Sequence, residues 1–135
     1  MSIIAQQELA GSPALPPAAA LDDALRHASP AEVIAAALKI VGREHLALVS
    51  SFGAESAALL KVMADVDPAI PVVFLDTGWL FQETLDYRDA LVADLGLTDI
   101  RIVTPDEAAL ERADPKGLLH RTDTEACCAV RSAWL

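Results

Sequence analysis

The chain has 135 residues, 53% of them hydrophobic but only 4% aromatic, a size and composition that suit one compact domain of helices packed on a small sheet and argue against an all-β sandwich. The net charge of −10 opposes a phosphate backbone, so nucleic acid is an unfavourable partner. No stretch approaches the roughly 18 uninterrupted apolar residues that span a bilayer, and the N-terminus lacks a charged start followed by an apolar run. The expectation is therefore a cytoplasmic protein with no membrane partner.

In chain order, Pro13, Pro16 and Pro17 with small and polar neighbours predict a flexible arm over residues 1–20. A single domain is expected from residue 21 to 135. Leu21 to Ala28 can form a short helix. Ser29-Pro30 is a helix start, and apolar residues at Val33, Ile34, Ala37, Leu38 and Val41 have helical spacing until Gly42. Leu46 to Val49 is a buried-strand candidate. Helix is expected over Glu55 to Val66, strand over Pro71 to Leu75, helix over Leu80 to Leu95, and strand over Ile100 to Val103. A short helix over Pro105 to Arg112, a turn at Asp114 to Gly117 and a last helix from Thr124 to Leu135 complete the reading. The alternation is α/β: a parallel βαβαβ sheet flanked by helices with right-handed crossovers. Ligands in such sheets bind beyond the carboxyl ends of the strands, which selects two loops.

The first loop is Ser50-Ser51-Phe52-Gly53-Ala54-Glu55-Ser56. Gly53 suits a turn and a close backbone approach. The helix-start N–H groups with the Ser51 and Ser56 hydroxyls suit a phosphate or sulfate. An unliganded strand-to-helix turn would show the same residue types, and Glu55 would repel an anion. The second loop, Leu75-Asp76-Thr77-Gly78, can contact a ligand or cap the next helix, with Gly78 permitting an unusual backbone.

The third feature is Cys127-Cys128, the only two cysteines. A disulfide framework is excluded, in keeping with a reducing compartment. Two thiolates could ligate a metal or cluster, but a typical site needs four ligands. Two structural thiols remain the plain alternative, and His120, the nearest imidazole, reads as a surface residue.

Taken together, Ser-Phe-Gly-Ala-Glu-Ser, Val-Phe-Leu-Asp-Thr-Gly, Leu-Phe-Gln-Glu-Thr, Tyr-Arg and Cys-Cys-Ala-Val-Arg resemble, in this order, the adenylyl-sulfate and phosphoadenylyl-sulfate reductases, over roughly residues 30 to 131. The resemblance implies a PP-loop-related fold of the adenine-nucleotide α-hydrolase type. It implies reduction of adenylyl sulfate to sulfite and AMP with electrons from thioredoxin or glutathione. It also implies that Ser51, Gly53 and Ser56 hold the phosphosulfate and that Leu75, Thr77 and Gly78 contact the adenosine. Arg131 would approach the substrate, and Cys127 and Cys128 would be the first two ligands of a [4Fe–4S] cluster. The paired cysteines mark the branch that prefers adenylyl sulfate to its 3′-phosphorylated form.

The family pattern continues past this point with a second Cys-x-x-Cys, further basic contacts and a tail carrying the nucleophilic cysteine. The usual lysine after Arg131 is replaced by Ser132. The expectation is a C-terminally truncated domain with no catalytic residue of its own, incomplete alone. An unpaired sheet edge would then favour a homo-oligomer. The other readings are a non-catalytic adenine-nucleotide-binding module, a PP-loop ATP pyrophosphatase, and two chains sharing one cluster through their cysteine pairs.

Overall fold

The computed structural model describes residues 15–132; of Ser132 only the backbone is described. The expected arm over 1–20 lies outside these residues up to position 14. From Ala18 the chain is already helical, because three alanines, the best helix formers, follow Pro17 directly. The chain divides into two compact units at Leu46/Ala47, where the sequence reading drew one domain from residue 21.

The first unit holds α1 (Ala18–Leu25) and α2 (Pro30–Val41), followed by a 3-10 turn at Arg43–His45. Ser29 caps α2 as expected. Its hydroxyl accepts from the Glu32 N–H, and the Glu32 carboxylate accepts from the Ser29 N–H at 2.7 Å, a complete capping box. That bonding holds the Glu32 carboxyl below its usual range. Gly42 ends the helix at φ 80°, a conformation that glycine adopts without penalty.

The second unit holds β1 (Leu48–Val49), α3 (Ala54–Val66), β2 (Val72–Leu75), α4 (Gln82–Leu95) and β3 (Ile100–Val103). The strands form one parallel sheet in the order β1-β2-β3, with Val49 opposite Val73 and Leu75 opposite Val103. The expected βαβαβ alternation is thus the observed one. Helices α3 and α4 pack against each other, as crossovers adding strands in one direction should. β1 is shorter than expected. Leu46 closes the 3-10 turn, and Pro71, with no N–H to donate, delays the ladder to Val72. α4 starts at Gln82, not Leu80, because the turn after β2 and an extended Phe81 precede it.

The core lies around β2. Val72 and Phe74 are buried there with Ile70, Leu60 and Met63 of α3, Phe52 and Leu97. Each such side chain contributes about 1.5–3 kcal/mol by leaving water. The Phe52 ring meets Phe74 edge-on at 5.4 Å, and the Arg88 guanidinium lies 5.0 Å from the Phe74 ring centre. The outer strands leave Val49 and Ile102 about half exposed.

Beyond β3 come α5 (Glu107–Ala113), α6 (Leu119–Thr122) and α7 (Thr124–Ser132). Asp106 caps α5, and α7 packs on both α5 and α6. α6 was not expected. The Asp114 carboxylate accepts from the Leu118 and Leu119 N–H groups, which turns the chain into this extra helical turn. The end of the predicted last helix, residues 133–135, lies outside the described residues.

Candidate functional site

Adjacent parallel strands β1 and β2 send their carboxyl ends to the same edge of the sheet, so the two loops emerge side by side. In the first loop, Ser50 is buried and its hydroxyl accepts from the Phe52 N–H at 3.1 Å. Phe52 has φ 56°, the one non-glycine residue among those described with positive φ. The ring, locked in the core, holds a backbone conformation that costs about 1–3 kcal/mol where nothing compensates. The sequence reading assigned the turn to Gly53. The structure differs: Gly53 has an ordinary φ of −71°, and a Cβ there would meet only the Ser51 hydroxyl at 3.5 Å. The turn is made one residue earlier, by an anchored phenylalanine.

Gly53 then opens α3, and no side chain caps it. The first-turn N–H groups therefore keep their capacity for an anion, and the helix dipole favours one. The Ser51 and Ser56 hydroxyls lie 3.3 Å apart beside this helix start. The structure thus brings together Ser51, Gly53 and Ser56.

In the second loop, the Asp76 carboxylate accepts from the Gly78 N–H at 2.8 Å. Asp76 therefore closes a local turn and does not cap α4, whose start at Phe81 has no side-chain cap. Gly78 takes φ 74°, as its residue type suggested. Leu75 is the half-buried last residue of β2, and the Thr77 carbonyl points to a distant partner. The Arg131 Nη1 donates to that carbonyl at 2.8 Å, across 54 residues of sequence. A Cβ on Gly78 would lie 3.9 Å from the same nitrogen. Thr77, Gly78 and Arg131 are thus one cluster.

Two members of that cluster escaped sequence reasoning. The Arg131 guanidinium sits 4.6 Å from the centre of the Trp79 ring, and the His120 ring lies 4.5 Å from it, tilted by 57°. His120 is half-buried with an Nδ1 that finds no partner, so its reading as a surface residue is corrected. Packing of α6 against α7 draws it inward. Only the position of Trp79 immediately after Gly78 hinted at a role.

Cys127 is half-buried and Cys128 exposed; both are free thiols. Cys127 precedes Arg131 by four residues on α7, so the two share a helix face. No group of three or more His, Cys, Asp or Glu side chains gathers among the described residues. The pair can supply two of the four thiolates of a [4Fe–4S] cluster, and the described residues do not complete the set.

A family model described as the phosphoadenosine phosphosulfate reductase domain matches residues 45–133, spanning both loops and the cysteine pair. The chain belongs to this family. It is 54% identical over 114 residues to adenosine 5′-phosphosulfate reductase of Mesorhizobium japonicum, covering 84% of this chain and 45% of that protein. It is 39% identical over 98 residues to phosphoadenosine 5′-phosphosulfate reductase of Xylella fastidiosa, covering 69% of this chain and 40% of that one. The chain thus spans less than half the length of these curated relatives. The crystal structure of phosphoadenylyl-sulfate reductase from Candida auris, a phosphate complex, superposes with a TM-score of 0.71 at 20% identity. That match covers 92% of this chain and 62% of the other, and it shows the shared fold.

Proposed function

We propose that this chain is the substrate-binding part of an adenylyl-sulfate reductase. The loop of Ser51, Gly53 and Ser56 takes the phosphosulfate, and Leu75, Thr77 and Gly78 take the adenosine. The observation that carries the reading is the pairing of an uncapped helix start with two facing hydroxyls, beside a second loop to which Arg131 is bound. The first supplies donors to an anion, and the second supplies a cation in an otherwise acidic chain.

The reaction is a two-electron reduction. Sulfate sulfur in adenylyl sulfate becomes sulfite, AMP leaves, and two thiols of thioredoxin or glutathione become a disulfide. The residues described here bind and orient the substrate; the attacking thiol is assigned to a part of the reductase other than these residues. Cys127 and Cys128 would hold one side of a [4Fe–4S] cluster whose other two thiolates come from outside the described residues. A cytoplasmic place in sulfate assimilation toward cysteine belongs to the same proposal. Among the described residues, no helix is long and apolar enough to cross a membrane.

Calorimetric titration with adenylyl sulfate, AMP and 3′-phosphoadenylyl sulfate tests the reading. Adenylyl sulfate is expected to bind more tightly than its 3′-phosphorylated form, and Ser51→Ala to weaken it about tenfold. Preference for the 3′-phosphorylated ligand would transfer the assignment to phosphoadenylyl-sulfate reduction. Absence of heat with all three ligands would overturn it.

A further inference from the structure

Trp79 stands in the second loop with half of its surface exposed. A large ring so placed could be incidental, but two independent contacts single it out. The Arg131 guanidinium lies 4.6 Å from the indole centre, within cation–π range, and the His120 ring packs on the same indole at 4.5 Å. The Thr77 carbonyl accepts from Arg131 Nη1 at 2.8 Å. The guanidinium is therefore held by a hydrogen bond and by an aromatic face. Gly78, between the residues providing them, takes the positive φ that turns the Thr77 carbonyl and the indole to the same guanidinium.

An arginine on a helix surface samples many rotamers, and a ligand that recruits it must first restrict them. Here the restriction precedes the ligand. The geometry points to Trp79 as a positioning residue, which holds the Arg131 guanidinium beside the adenosine loop with His120 bracing the indole. This rests on the reading of that loop as a nucleotide contact. A leucine would bury similar area but offers no negative ring face, whereas phenylalanine keeps one. Trp79 acts through Arg131 and touches no reacting atom. By the same contact it ties α7, the helix of the cysteine pair, to the loop after β2.

The test is a double-mutant cycle on the full chain, read by calorimetry with adenylyl sulfate. Trp79→Leu is expected to weaken binding about tenfold, and Trp79→Phe to restore most of the loss. In an Arg131→Ala background, Trp79→Leu is expected to have no further effect. His120→Leu, which leaves the loop intact, is expected to weaken binding a few-fold with Arg131 present and not at all without it. It also serves as the second variant should Trp79→Leu not fold. Equal losses with and without Arg131, or no loss, would overturn the proposal, because a residue that merely stabilises the loop does not depend on Arg131.

A second readout needs no ligand. The Arg131 side-chain proton resonances are expected upfield, in the ring current of the indole, and to return to ordinary values in Trp79→Leu. If the unmutated chain binds no adenine nucleotide, the functional reading falls. The Arg131 resonances then decide the positioning claim alone, and an unchanged spectrum in Trp79→Leu sinks it.

Discussion

After β3 the chain enters α5 through Asp106, whose carboxylate accepts from the Ala108 and Ala109 N–H groups at 3.3 and 3.2 Å. After β1 and β2 it enters α3 and α4 through Gly53 and Phe81, and no side chain caps either helix. α2 likewise begins under a complete capping box. A helix start leaves backbone donors in need of partners, and a side-chain cap is the local solution. The two loops at neighbouring strand ends do without that solution and use unusual backbone instead, at Phe52 and Gly78. The difference separates helix starts closed by a side chain from the two helix starts that open at the loops after β1 and β2 without one.

The largest expected effect comes from the first loop. Phe52→Ala removes a buried ring that packs on Phe74 and anchors the positive-φ residue, and should cost roughly 3–5 kcal/mol in urea unfolding. A cost below about 1 kcal/mol would show that the ring does not hold the turn. Gly78→Ala comes next. The added Cβ has room beside Arg131, so its cost of about 1–2 kcal/mol is that of the left-handed backbone. Thermal unfolding measures this, and a neutral substitution would mean that the loop relaxes.

Asp106→Ala should cost about 1 kcal/mol and leave nucleotide affinity unchanged, since its cap serves α5 alone. Weakened nucleotide binding in that variant would break the contrast between the loops. The smallest effect concerns Glu32. Its carboxyl is depressed first by the Ser29 side chain and then by the Ser29 backbone. A depressed folded value stabilises above the ordinary value of 4.5, and that contribution fades as pH falls through the folded one. The difference in thermal midpoint between the native chain and Glu32→Gln should therefore be present near neutrality and shrink in acid. A difference independent of pH would show that the capping box contributes through shape, not charge.

Much of the fold was legible because its signals are local. The alternation of apolar runs with helical spacing, the Ser29-Pro30 start and the Gly42 stop each depend on a few neighbouring residues. Boundaries were less legible. β1 was shortened by a turn and by Pro71 on its partner, and α4 was delayed by the Asp76 carboxylate, which turned back to Gly78. At the site, the serines, Gly78 and Arg131 stood out by type and order. Phe52 did not, since a phenylalanine at positive φ is defined by the packing of its ring.

By itself the sequence determined an α/β chain of parallel strands, the two loops at the strand ends, a lone cysteine pair and the family to which these belong. Those properties follow from short-range pattern and residue order. Only the tertiary structure decided that Arg131 binds the Thr77 carbonyl, that Trp79 and His120 surround the same point, and that the helix starts after β1 and β2 have no side-chain cap while the one after β3 is closed. The reason is distance along the chain. Arg131 and Thr77 are 54 residues apart, and they meet because α7 packs back through α5 and α6 toward the carboxyl edge of the sheet, a path that no local spacing encodes.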